Sequence, residues 1–190
     1  MIKESDLNTY TEILNAYIKR STCARVQVAA ILVKDGRINM TGWNGVPIGF
    51  NHCYDFFKSN NIDIKSEEGR SKHRLFSERF ELHGEMNVLA QCAKHGIITD
   101  GASLVQQVSP CLSCAKLIIS SGIKSVYFRE YYDRNDDNGI SIMILSNIKV
   151  FKINNKNSVD DELCTQILLE DVYNPLIIDE FVYNPLSNHD

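Results

Sequence analysis

Apolar and polar positions follow two rhythms along this chain, and the switches between them outline the expected elements. From Ser5 to Arg20, apolar side chains recur at helical spacing as Leu7, Tyr10, Ile13, Leu14, Tyr17 and Ile18, with Ser5 or Asp6 able to cap the start. Residues 26–34 then read Val-Gln-Val-Ala-Ala-Ile-Leu-Val-Lys, a run that predicts a strand. Asp35-Gly36 turns tightly because glycine reaches positive φ at little cost, and residues 37–43 are the expected antiparallel partner. From Asn44 to Leu82 regular spacing is lost in a long polar insertion rich in Asn, Ser, Lys, Arg and Glu. Segments of that length inside a domain are functional or are ordered by something beyond their own hydrophobic pattern.

Helix and strand signals alternate from there on. Gly84 to His95 reads as a helix, closed by Gly96 as its left-handed terminator. Residues 102–108 read as a strand, and Pro110-Cys111 opens a helix that runs to Ser121 and stops at Gly122. Ser125 to Arg129 is a strand, 130–139 a polar loop, 139–147 a short helix and 149–153 a further strand. This alternation implies βαβ units and a mostly parallel sheet behind the opening hairpin. Residues 1–153 are therefore expected to form a single domain carrying the 44–82 insertion, with 154–190 as a C-terminal extension. In that extension Tyr-Asn-Pro-Leu occurs at 173–176 and again at 183–186. Two copies are too few for a solenoid, and they read as extended docking segments that pack on the domain or on a neighbouring subunit.

Composition narrows the function classes. The chain has 190 residues, 44% hydrophobic and 23% charged, enough to bury a core without covalent or metal staples. A net charge of −4 argues against a nucleic-acid-wrapping protein but allows a small basic pocket for one phosphate. No stretch approaches the ~20 apolar residues of a membrane span, and the N-terminus lacks a signal-peptide apolar core. A cytoplasmic location is expected, and with it six reduced cysteines, some of them available to metal.

Two short motifs carry the chemistry. His83 and Glu85 lie two apart where one helix begins, and Cys111 and Cys114 lie three apart where another begins. The chain between them has room for one helix plus one strand, so a crossover sets the two helix starts side by side at one sheet edge. One imidazole and two thiolates suit zinc and leave a fourth position for water. Helix N-termini also favour the thiolate form. Glu85 reaches the same place without being a ligand, so it can take a proton from water and deliver it to a ring nitrogen as ammonia leaves. Either motif alone is weak: a lone C-x-x-C is often a structural zinc half-site or a redox pair. Together, H-x-E and P-C-x-x-C match the pattern of zinc nucleobase deaminases.

Ser-Pro-Cys-Leu-Ser-Cys-Ala-Lys-Leu-Ile-Ile-Ser-Ser-Gly-Ile-Lys at 109–124 and Thr-Gly-Trp-Asn-Gly-Val-Pro-Ile-Gly at 41–49 resemble the deoxycytidylate (dCMP) deaminases over roughly residues 5–153. The resemblance implies an α/β, three-layer α-β-α cytidine-deaminase-like fold whose five-stranded mixed sheet opens with an antiparallel hairpin. It implies conversion of dCMP to dUMP for dTMP synthesis, with His83, Cys111 and Cys114 on the catalytic zinc, Glu85 as proton shuttle and Asn44 bonding the substrate. It further implies a homo-oligomer, a hexamer in many members. The activator dCTP and the inhibitor dTTP would act at the loop from Gly45 to Gly49, a triphosphate effector bringing Mg2+. Gly84, Ala29, Gln106 and Gln107 depart from the family's usual residues, so a modified cytosine nucleotide is an alternative substrate, as are a nucleoside and a polynucleotide. A non-catalytic nucleotide-binding module is the alternative outside the enzymes.

The resemblance also places a structural zinc in some members at positions matching Cys23, Cys53 and His73, with His52 as the fourth ligand. Buried free cysteines and exposed histidines are the plainer alternative. For the substrate phosphate, Arg134 in the 130–139 loop is preferred, with Lys116 and Arg25 as further candidates. Tyr131 and Tyr132 either stack on a base or simply pack. Cys92 is expected in the core and Cys164 on a late helix, with His95 near a helix C-terminus and His189 in the tail.

Overall fold

A continuous hydrophobic run makes the central strand, because a strand covered on both faces has no polar side to show. In the computed structural model, which describes residues 2–132, 138–154 and 159–160, that strand is β1 (Ala29–Lys34), buried at every position but the last. It pairs antiparallel with β2 (Arg37–Trp43) through the Asp35-Gly36 turn, and antiparallel with β3 (Ser103–Val108) on its other side. Parallel pairing continues from β3 to β4 (Ser125–Glu130) and on to β5 (Lys149–Ile153). These are the five strands of the expected mixed sheet. A two-residue strand, β6 (Val159–Asp160), adds antiparallel to the outer edge of β5 and uses backbone groups that an edge strand leaves unpaired.

The two faces of the sheet carry separate cores. Ala29, Ile31 and Val33 pack with Val105, Tyr127 and Phe151 under α1 (Glu4–Ile18), which contributes Leu7, Tyr10 and Leu14. Ala30 and Leu32 point the other way with Leu104, Val126 and Phe128. They meet Val88 and Cys92 of α4 (Gly84–His95), Ala115 and Ile118 of α5 (Leu112–Ser120), and Ile140 and Met143 of α6 (Asn138–Leu145). The result is a three-layer α-β-α arrangement. No helix among the described residues is long and apolar enough to cross a membrane.

Three local expectations are corrected. Helix α1 begins at Glu4, so Lys3 and not Ser5 or Asp6 is its N-cap residue. The cause is tertiary: Ile2 packs on the α1-side core and its N–H donates to the Tyr127 hydroxyl, which draws the chain into the helix early. Residues 26–28 are not strand. The Asn44 side chain bonds their backbone instead, accepting from Val28 N and donating to Val26 O. Gln106 and Gln107 are buried in β3 and neither lines the cavity described below; Gln106 Nε2 donates to Val108 O and Gln107 Oε1 accepts from Ala29 N.

The insertion is not irregular either. It folds into α2 (Cys53–Ser59) and α3 (Glu67–Phe80), the latter capped by Ser66 Oγ accepting from Gly69 N. Its own small core is Cys23, Cys53, Phe57 and Phe76. The helical pattern escapes notice because α3 buries only Gly69, His73 and Phe76, and α2 is too short for a period to show.

Gly42 is required for α4 to sit on β2. A Cβ there would lie 2.7 Å from Val88 N and 2.9 Å from Gly84 O, both backbone atoms. Gly42→Ala is expected to destabilise the fold by about 1–3 kcal/mol through this overpacking, read as a lower urea midpoint at unchanged slope.

Candidate metal centre and active site

Two helix starts make the site. His83 is the N-cap residue of α4 and Cys111 that of α5, with Cys114 in the first turn of α5. Neither N-cap side chain makes a capping hydrogen bond. They turn toward one another, and the Sγ atoms of Cys111 and Cys114 each lie 3.4 Å from His83 Nδ1. A nitrogen and a sulfur held at tetrahedral angles on one zinc, with bonds of about 2.0 and 2.3 Å, stand about 3.5 Å apart. The donor set and its spacing therefore fit zinc.

The charges agree. The Cys114 thiol hydrogen bond, helped by His83, holds Cys111 well below the usual thiol range. The same bond, together with burial, pushes Cys114 up. His83 is raised, chiefly by Cys111, with burial opposing. Two sulfurs and an imidazole that must share protons to coexist are a set a cation would release from that constraint.

Glu85 sits in the first turn of α4, 7% exposed, and lines the cavity in front of the donor set. Burial pushes its carboxyl up, and the charge of His83 pulls back. Asn44 lines the same cavity, but much of its amide is engaged: Oδ1 accepts from Ser21 Oγ and Val28 N, while Nδ2 donates to Val26 O. Its first role is to shape the 26–28 wall. Tyr132 reaches the cavity with its ring 6.4 Å from that of His83, and its N–H donates to Ser109 Oγ. Tyr131 turns away onto Phe128, with Lys152 over its ring, so of the two tyrosines this one packs.

Among the phosphate candidates, Arg25 lines the cavity, Lys116 is exposed on α5 outside its lining, and Arg134 lies outside the described residues. Cys164, His189 and both Tyr-Asn-Pro-Leu segments lie outside them too. Cys92 is in the core, and His95 ends α4 ahead of Gly96 at φ 66°. Gly45 pairs with Leu82 through two backbone hydrogen bonds, while Gly49 is an open turn residue at φ 97°.

A second donor cluster stands beside the first. Cys23, Cys53, His73 and Glu81 offer ligand atoms within 4.8 Å of one another. Cys23 Sγ lies 3.2 Å from His73 Nε2, and Glu81 Oε1 is buried with no hydrogen-bond partner. A buried carboxylate oxygen among sulfur and nitrogen acceptors fits a cation. Burial pushes the Glu81 carboxyl up, and the charge of Cys23 adds to it. His52 is corrected: it is exposed as the N-cap residue of α2, and Glu81 takes the fourth place. Glu81 follows His73 by about two helical turns, so a helical reading of the insertion was the signal for it. Ser21 and Ser109, which hold Asn44 and the Tyr132 backbone, carry no sequence signal because their partners are remote.

Sheet, paired helix starts and the nitrogen–sulfur donor set define a zinc-dependent deaminase. Residues 4–130 match the family model described as the cytidine and deoxycytidylate deaminase zinc-binding region. The chain is 31% identical over 175 residues to the deoxycytidylate deaminase of Enterobacteria phage T4, covering 79% of this chain and 91% of that one. It is 39% identical over 113 residues to ComE operon protein 2 of Bacillus subtilis, covering 60% and 53%. A crystal structure of dCMP deaminase from the cyanophage S-TIM5, in complex with dCMP and dUMP, superposes with TM-score 0.65 at 33% identity over 80% of this chain and 99% of that one. The chain belongs to the dCMP deaminase family, within the cytidine and deoxycytidylate deaminases.

Proposed function

We propose that this protein hydrolyses dCMP to dUMP and ammonia, a supply of dUMP for dTMP synthesis. The observation that carries the reading is the convergence of His83, Cys111 and Cys114 beside the buried, unliganded carboxyl of Glu85. His83, Cys111 and Cys114 would hold the catalytic zinc, which supplies Lewis-acid activation of water near neutral pH. Glu85 would take one proton from the attacking water and pass it to the ring nitrogen, then take the second from the hydroxyl newly bonded to C4 and pass it to the amino group, which leaves as ammonia as the C4–N bond breaks. Its buried position keeps bulk solvent from competing for the proton. Tyr132 covers the base, and Asn44 holds the 26–28 wall and offers its remaining amide hydrogen to the substrate.

Cys23, Cys53, His73 and Glu81 would hold a second, structural zinc that ties α2 and α3 to the domain. The segment from Gly45 to Gly49 would be the effector loop, for dCTP as activator and dTTP as inhibitor, with Mg2+ accompanying the triphosphate. A cytoplasmic homo-oligomer, hexameric as in many relatives of the family, completes the proposal. The S-TIM5 complex with dCMP and dUMP supports the substrate.

Ammonia release from dCMP, a C5-modified dCMP, deoxycytidine and a cytosine-containing oligonucleotide, with and without dCTP or dTTP, tests this. Preference for dCMP is expected. Binding of triphosphates without ammonia from any substrate would make the chain a sensor and sink the reading.

Among the described residues, Arg25 is the exposed cation of this cavity lining, and it is assigned to the 5′-phosphate. Loss of one charged hydrogen bond raises KM about 10- to 100-fold. Arg25→Ala is expected to do so for dCMP and to leave kcat/KM for deoxycytidine unchanged. Equal effects on both substrates would remove Arg25 from that role.

A further inference from the structure

The two donor clusters are joined by one short piece of chain. Glu81, at the C-cap of α3, gives its carboxylate to the second cluster, and His83, at the N-cap of α4, gives its imidazole to the first. Leu82 alone separates them, and it is held at both ends: its N–H donates to Gly45 O at 2.8 Å and its C=O accepts from Gly45 N at 3.1 Å. On the far side, His83 C=O accepts from Asn87 N, and the Asn87 amide donates to Trp43 O. Few backbone torsions are left through which His83 could move independently of Glu81.

The clusters also share space. Cys23, His73 and Glu81 line the same cavity as His83, Glu85 and Cys111. The second cluster is thus a wall of the reaction chamber as well as a staple in the insertion. Its buried carboxylate oxygen without a hydrogen-bond partner, Glu81 Oε1, marks the place where that wall is incomplete without a cation.

We propose that the second cluster, once metallated, is a positioning device for the first. Metal held by Cys23, Cys53, His73 and Glu81 fixes the Glu81 carboxylate, and the Glu81–Leu82–His83 segment, clamped on Gly45, carries that constraint to the imidazole of the catalytic set. Glu81 is the positioning residue. Partners that orient a metal ligand set its affinity by about 10- to 100-fold. The inference rests on the two-metal reading above and is independent of which cytosine compound is the substrate.

The test uses the full chain loaded with cadmium-113, whose resonance reports each site's ligand geometry. Two resonances are expected, one per cluster, and a single bound cadmium per wild-type chain would overturn the proposal. Cys53→Ser removes a ligand of the second cluster that does not line the cavity. One resonance should disappear, and the survivor, from His83, Cys111 and Cys114, should shift. A chelator should then strip the surviving metal at least about tenfold faster than from the same site in the parent. An unmoved survivor with a parental release rate would reduce the second cluster to a staple and overturn the proposal. Should Cys53→Ser fail to fold, Glu81→Gln keeps both cysteines, His73 and the side-chain volume, and the same two outcomes decide. Neither readout needs substrate. A chain that shows the shift yet releases no ammonia would sink the proposed activity and leave the coupling standing.

Discussion

Glu85→Gln is expected to keep its full metal content and lose turnover by about 10²- to 10⁴-fold, the contribution of a positioned proton carrier. The argument is geometric. Glutamine matches glutamate in shape, so the first turn of α4, on which His83 and Glu85 both depend, stays as it is. The donors His83, Cys111 and Cys114 are untouched. What is lost is a group able to accept a proton, and at this position, 7% exposed, bulk water is a poor replacement. Metal analysis beside kcat for dCMP checks it. Turnover within a few-fold of the parent would assign the proton to another group and end the mechanism proposed for Glu85.

Cys23→Ser should lower bound zinc by one per chain and cost roughly 3–5 kcal/mol, as when one member of a buried charged set is removed and the rest stay uncompensated. For a chain of this size that is a fall in melting temperature of roughly 6–20 °C. The magnitude follows from how little else holds the insertion. Helices shorter than about 12–15 residues are marginal alone, and α2 has seven. The core around them is four buried side chains, two of which are the cysteines themselves. Zinc analysis and a thermal melt decide: unchanged stoichiometry with an unchanged melt would mean that the cluster carries no structural metal.

The convergence of the first donor set with Glu85 was legible because each half of it is written over a few adjacent residues. His83 and Glu85 are two apart, Cys111 and Cys114 three apart, and both motifs stand where helix signals start. The stretch between them needed only to fold as one helix and one strand, which it does as α4 and β3. A continuous apolar run likewise announced β1, whose side chains pack against both layers, and the Asp35-Gly36 turn announced β2.

The second cluster was only half legible, and the reason is distance along the chain. Its donors come from the segment after α1, the start of α2, the middle of α3 and the end of α3, held together by long-range packing. Adjacency to Cys53 suggested His52, but the residue before a helix need not share the direction of the first residue within it, and the site closes with Glu81 instead. Asn44 shows the same limit. Its place in the loop motif was visible, while its bonds to Ser21, Val26 and Val28 depend on a tertiary approach.

By itself the sequence determined the layered sheet and the meeting of His83, Cys111 and Cys114 beside Glu85, because periodicity and short motifs are local. Only the tertiary structure decided that the polar insertion is helical, that Glu81 completes a second donor set, and that this set shares a wall with the first. Those outcomes depend on which remote side chains come within a few ångströms of each other, and no local spacing encodes that.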